Sequence, residues 1–149
     1  MTNRLVPDDF DVPAGMETDR YRLRMLTVND VVKDYDAVMS SVDQLKGVFD
    51  PALDWPEGLT LEQDLIDLGW HQKEFQKRSS FAYTMMSLDE ERCLGCVYIY
   101  PSETADADVF MWVRKEEYET LDGDLFDRVR RWIAEEWPFK NVRYPGRAG

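Results

Sequence analysis

A chain of 149 residues suits one domain and leaves little room for a second. Its apolar share of 44% is too high for a disordered chain, and a chain of this length buries a core without metals or disulfides. Thirty acidic residues against 18 basic ones give a net charge of -12, which argues against nucleic-acid binding and adsorption to anionic membranes, and suits either a cationic partner or simple solubility.

No stretch reaches the roughly 18 consecutive apolar residues of a membrane span, and Met1 to Gly15 lacks the apolar core of a signal peptide. A cytoplasmic protein is the expectation.

Residues 1–19 hold two prolines, several acids and no period, and read as an N-terminal arm. Residues 20–149 form the single domain. Tyr21 to Leu26 alternates apolar residues with Arg22 and Arg24, the pattern of a half-buried strand. Thr27 or Asn29 caps a following helix whose stripe is Val31, Val32, Tyr35, Val38, Met39 and Val42. Lys46 to Gly58 is a loop. Thr60 and Gln63 fit a capping box at the start of a second helix, with Leu61, Leu65 and Leu68 as its apolar stripe and Phe75 extending it.

Three strand-like runs follow, Phe81 to Ser87, Cys93 to Tyr100 and Asp108 to Arg114, with connections short enough for an antiparallel meander. The third is apolar on both faces, as in a central strand covered on both sides. Leu121, Leu125, Val129, Trp132 and Ile133 then mark a third long helix, stopped at Trp137-Pro138. Lys140 to Tyr144 is a last short strand. Helices between the first and second strands, and between the fourth and fifth, permit parallel crossovers. The fold class is therefore α/β (α+β): a mixed, mostly antiparallel sheet with helices on both faces.

Cys93 and Cys96 lie inside a strand, where positions i and i+3 point to opposite faces, and they read as buried, inert thiols. With no second Cys pair and a single histidine, a four-ligand zinc site lacks donors, and no metal is expected. His71 reads as a solvent-edge histidine, without a Ser or Cys motif for a hydrolytic triad. Trp55 and Trp70 flank the first two helices as pocket lining or core. Arg128, Arg130 and Arg131, with Arg143 and Arg147, make the most basic surface of an acidic chain.

The order strand, helix, helix, three strands, helix, strand resembles the core of the GCN5-related N-acetyltransferase (GNAT) superfamily. Tyr21-Arg22-Leu23-Arg24-Met25-Leu26-Thr27 with Asn29-Asp30 looks like its opening strand, Leu94 to Ile99 like its third, and Trp112-Val113 followed by Leu121 to Ile133 like its fourth strand and next helix. The resemblance spans Tyr21 to Tyr144. It implies acetyl-CoA as cofactor, with pantetheine on exposed backbone of the fourth strand and pyrophosphate on a glycine-rich turn. On that basis Trp112, Val113, Arg114, Gly123, Asp124 and Leu125 are the cofactor-binding candidates.

Of the usual glycines only Gly123 is present, and Glu116, Glu117, Glu119, Asp122 and Asp124 crowd the turn. Acids also belong at a helix start for structural reasons. Asp108, with Asp106 beside it, and Tyr144 are the catalytic candidates. The family's last helix and one or two strands are missing, so the domain is expected to be truncated at its C-terminus. The resemblance thus implies an acetyl-CoA-dependent N-acetyltransferase of a small or peptidic amine, weak or inactive. The alternative is a non-catalytic interaction protein of the same fold, assembled as a homodimer through its last strand.

Overall fold

A computed structural model describes residues 4–147. Its opening strand and first helix are locked together by the residues between them. In β2 (Tyr21–Met25), Tyr21 and Leu23 are buried while Arg22 and Arg24 are partly exposed. Arg24 donates from both terminal nitrogens to Asp30, at 3.1 and 2.8 Å. Asp30 also accepts the Thr27 amide at 2.9 Å, while the Thr27 hydroxyl accepts the Asn29 amide at 3.3 Å. One carboxylate thus caps the turn at Val28–Asp30 and ties it to the strand before it.

That turn opens α1 (Val31–Met39), followed by the one-turn α2 (Val42–Leu45) and, after a loop, α3 (Leu61–Gln76). The capping box foreseen for α3 is present: the Gln63 amide donates to the Thr60 hydroxyl at 3.1 Å, and the Thr60 amide to the Gln63 side chain at 3.3 Å. The expected stripe is present only in its second half, where Leu68 is buried and Phe75 packs on the core. Leu61 and Leu65 are 46% and 43% exposed. The helix instead turns Asp64, Leu68, His71 and Phe75 inward, a stripe rotated by about half a quadrant and spaced i, i+4, i+7, i+11. Val32 is likewise exposed on α1, which buries Asp34, Ala37 and Val38.

The remaining elements are β3 (Phe81–Ser87), β4 (Cys93–Tyr100), β5 (Ala107–Val113), α4 (Tyr118–Glu136) and β6 (Val142–Arg143). With β1 (Gly15–Glu17), which the arm contributes, they give a six-stranded sheet in simple chain order, β1 to β6. Only β5 and β6 run parallel; every other neighbouring pair is antiparallel. The crossover by α4 is thus parallel as expected. The connection through α1 to α3 is not: β2 and β3 pair antiparallel. Two helices make two passes along the sheet, which returns the chain to the end it left; a parallel crossover needs a single return pass. β3 and β4 are the strands buried along almost their whole length, while β5 lies next to the β6 edge.

Helices cover both faces. On one, Tyr21, Leu23, Tyr83, Val97, Val109 and Met111 pack against Leu125, Val129, Trp132 and Ile133 of α4. The arm reinforces this face: Val6 is buried, and Leu5, Phe10 and Val12 pack beside it. On the other, Leu26, Ala82, Met86, Tyr98 and Trp112 meet Ala37 and Val38 of α1, Leu45 of α2 and Leu68 of α3. No helix is long and apolar enough to cross a membrane among the described residues.

The two thiols are buried, as expected, but share one face. The register slips between Met85, opposite Gly95, and Met86, opposite Cys93. The extra residue, Leu94, turns to the α4 face, so Cys93 and Cys96 both point toward α1. Gly95 is required at this bulge, because a Cβ there would collide with the Trp112 carbonyl.

Candidate active site

Strand backbone groups alternate between the two neighbours of the strand. On β5 the even positions face β4: Cys96 pairs with Trp112, and the Arg114 amide just beyond donates to the Leu94 carbonyl at 2.7 Å. The odd positions face the β6 side, yet β6 pairs only with Ala107 and Asp108. Beyond them the two strands part. The Met111 and Val113 carbonyls open there into a cleft of about 530 Å³. Side chains meet both carbonyls: Arg147 Nη2 donates to Met111 at 3.2 Å, and Gln44 Nε2 to Val113 at 2.9 Å. Tyr118 and Asp122 of α4 and the Pro145-Gly146-Arg147 segment line the far wall.

At the end of β5 a tight turn, Lys115–Glu117, leads into α4. Arg114 is 4% exposed and fully committed. Its guanidinium donates to Glu116, Asp36, Ser40 and the Cys93 carbonyl at 3.0 to 3.5 Å, stapling the turn to α1. The Lys115 amide donates to the Ser41 hydroxyl at 2.8 Å. Arg114 holds Glu116 below the usual carboxylate range.

Of the six cofactor candidates, Trp112 and Val113 line the cleft. Arg114 lies in its staple. Gly123 is the sixth residue of α4, inside the helix and not on the turn, with open space where a Cβ would stand. Asp124 accepts the Tyr21 hydroxyl at 2.8 Å and pairs with Arg20 and Arg128. Leu125 is fully buried core.

The catalytic candidates lie outside this cleft. Asp108 pairs with Arg143 at 3.5 Å where β5 and β6 still run together. Asp106 caps the segment before β6, accepting the Lys140 and Asn141 amides at 2.7 and 3.0 Å. Tyr144 packs edge-on against Phe126 on the α4 side. The basic surface is largely spent within the chain: Arg147 pairs with Asp122, Arg143 with Asp108 and Arg128 with Asp124.

A second cavity, of about 470 Å³, lies on the α1–α3 face, and Phe110 lines both it and the cleft. Phe49, from the loop after α2, is its aromatic hub. Its ring stands 5.3 Å from Trp55, 5.1 Å from Tyr98 and 5.4 Å from Phe110. Tyr98 and Tyr100 stack at 6.0 Å behind it. Trp55 is therefore a cavity wall, whereas Trp70 points to solvent. His71 also lines this cavity, so the solvent-edge placement is corrected: the buried stripe of α3 carries it inward. Burial lowers its pKa to about 4, against a smaller opposing pull from Glu74, and its Nδ1 has no partner.

Two acids stand in the same wall. Asp34 and Asp64 are 3% and 2% exposed and form no ion pair among the described residues. Burial raises Asp34 well above the ordinary carboxylate range, with the Cys93 thiol and the hydrogen bond to Asp64 adding to it. Burial also raises Asp64, while the hydrogen bond from Asp34 pulls the other way. Burial thus favours the neutral form of Asp34, and the Asp64 Oδ2 has no hydrogen-bond partner. Beneath them the Cys96 thiol donates to Asp34 at 3.6 Å and the Cys93 thiol to the Gly95 carbonyl at 3.3 Å. Asp34, Cys93 and Cys96 place one donor atom each within 4.8 Å of one another, one ligand short of a closed zinc site.

Sequence reasoning offered Trp55 as pocket lining but missed the rest of this cavity, because its walls come from separated segments. The one available signal was the aromatic density of Phe49, Trp55, Tyr98, Tyr100 and Phe110.

No family model matches the sequence, and no curated protein matches it. Solved structures do. A ribosomal-protein-S5-alanine acetyltransferase from Vibrio fischeri is 15% identical over 83% of this chain and 67% of that chain, with a TM-score of 0.63. The microcin C7 self-immunity acetyltransferase, solved with acetyl-CoA and AMP, is 14% identical over 83% and 67%, at 0.61. A ribosomal L7/L12 α-N-protein acetyltransferase in complex with coenzyme A is 16% identical over 82% and 67%, at 0.60. The mixed, mostly antiparallel sheet with its helices is the fold of the GCN5-related N-acetyltransferases, and that is the fold of this chain.

Proposed function

We propose that this chain is an acetyl-CoA-dependent N-acetyltransferase of a small or peptidic amine. The observation that carries this reading is a pair of cavities that share Phe110 as a lining residue: a cleft edged by backbone carbonyls, and an aromatic pocket holding buried acids. Bound acetyl-CoA supplies an acetyl thioester, whose acyl carbon passes to an amine nitrogen as the thiol leaves. Structural neighbours solved with acetyl-CoA or coenzyme A support this choice of cofactor.

The cleft fits an amide-bearing arm. Met111 and Val113 offer carbonyls to the open edge, and their amides face the same way by strand alternation. Arg147 and Gln44 now satisfy the carbonyls and would yield them to ligand amides. The phosphate end fits less well. Lys115 stands on the turn without an ion pair among the described residues, Arg114 is committed, and Glu116, Glu117 and Glu119 stand at the helix start. At an effective dielectric of about 20, one like charge at ~6 Å costs roughly 3 kcal/mol before salt screening. Weak binding follows.

The acidic turn also favours a second reading, a non-catalytic binding protein that keeps the fold and pairs with a second copy. Its expected route through the last strand is short, since β6 offers only two residues. Thermal denaturation with increasing acetyl-CoA separates the two. Ligand at one hundred times its dissociation constant adds about 2.7 kcal/mol. No shift up to millimolar ligand removes the enzyme reading and leaves the second.

A further inference from the structure

We propose that the aromatic cavity is a binding subsite for a primary amine carried on an aromatic or branched apolar group, with its ammonium at Asp64. The proposal rests on the acyl-transfer reading only for the fate of that amine; the binding chemistry stands alone. Four features select the ligand class. The walls formed by Phe49, Trp55, Tyr100 and Phe110 are flat and apolar, and the volume of about 470 Å³ suits a small organic molecule. No Lys or Arg lines the cavity, and the one histidine there, His71, is held toward its neutral form by burial, so no fixed cation pairs with Asp64. Asp64 is 2% exposed and its Oδ2 has no hydrogen-bond partner; a buried carboxylate oxygen left in this state is costly, and a donor from a ligand removes the cost. Aromatic faces beside it attract a cation further.

Alternatives fit less well. A neutral alcohol satisfies the oxygen without using its charge. A polyamine buries one ammonium at Asp64 but lays the next against an apolar wall. Asp67, at the exposed side of the cavity, and the acidic surface as a whole concentrate cations at the mouth.

The test measures binding to the whole chain by calorimetry, without acetyl-CoA, using phenethylamine, 2-phenylethanol and spermidine. Phenethylamine is expected to bind at least about tenfold more tightly than either of the others. Asp64→Asn, nearly isosteric, should abolish the preference over the alcohol. Leu53→Lys, at a 54% exposed position on the rim, should weaken phenethylamine severalfold and leaves the core untouched if Asp64→Asn fails to fold. Equal binding of amine and alcohol, tighter binding of spermidine, or unchanged amine affinity in both variants overturns the proposal. Because acetyl-CoA is absent, a failed acetyl-CoA titration with intact phenethylamine binding removes the transferase reading and keeps the subsite. The reverse outcome does the opposite.

Discussion

Arg147 grips Asp122 with both terminal nitrogens, each at 2.8 Å, and from the same hand reaches the Met111 carbonyl at 3.2 Å. Paired forks of this kind are among the stronger side-chain contacts, and here one joins the segment after β6 to α4 and β5 across the open cleft. Asp122 is only 8% exposed. Arg147→Ala leaves that carboxylate without its cation and should destabilise the fold by about 1–3 kcal/mol. Arg147→Lys should recover only part of this, since an ammonium cannot make the two parallel bonds. Urea denaturation of the three proteins checks the order.

Arg114 is the tighter knot. Its guanidinium bonds Glu116, Asp36, Ser40 and the Cys93 carbonyl at once. Arg114→Met removes the charge and strands the Cys93 carbonyl in the core, and should cost about 1–3 kcal/mol, since Asp36 and Glu116 remain solvated. If Arg114 instead served mainly to hold phosphate, stability would barely change and only ligand affinity would fall. Denaturation midpoints with and without acetyl-CoA separate these outcomes.

Much of this architecture was legible because it is local. The alternation at Tyr21 to Met25, the Thr60–Gln63 box and the stripe from Leu121 to Ile133 each lie within one element, where periodicity carries the information. What escaped depends on partners distant in sequence. The bulge that turns Cys93 and Cys96 to one face exists only against Met85 and Met86. The direction of His71 follows from which stripe of α3 meets the sheet, and the exposed leucines gave the wrong one. The antiparallel pairing of β2 with β3 required knowing that two helices make two passes. Of the candidate site, Trp112 and Val113 were named through the family resemblance and line the cleft, whereas the Phe49–Trp55 wall belongs to a loop without a period.

His71 makes the fold sensitive to acid. Its pKa falls from 6.5 to about 4 on burial. A base with a depressed folded pKa contributes stability that is full above its unfolded pKa and is lost as pH falls from about 6.5 toward 4. The shift corresponds to about 3 kcal/mol at most. Asp34 and Asp64, raised by burial, act in the opposite sense: their contribution is full at low pH and is lost as pH rises through their folded values. His71→Phe should therefore lose less stability than the parent chain between pH 6.5 and 4. Parallel stability curves for the two proteins over that range would remove His71 as the cause.

Two glycines give opposite expectations, and the contrast bears on the cofactor. Gly95 sits at the bulge against the Trp112 carbonyl, where any Cβ collides with backbone. Gly95→Ala must push β4 and β5 apart and should cost more than about 2 kcal/mol, on the scale of overpacking a core. Gly123 lies within α4 with open space around its missing side chain. Gly123→Ala should stabilise the helix by up to about 1 kcal/mol, because alanine loses less backbone freedom there. Its effect on acetyl-CoA is the sharper measurement. If phosphates settle on the Lys115–Glu117 turn, a residue a full helical turn further on does not touch them, and Gly123→Ala leaves the ligand-induced shift unchanged. A lost shift in a protein that still folds would move the phosphate site into α4, and would restore to Gly123 the close approach that its place in the sequence suggested.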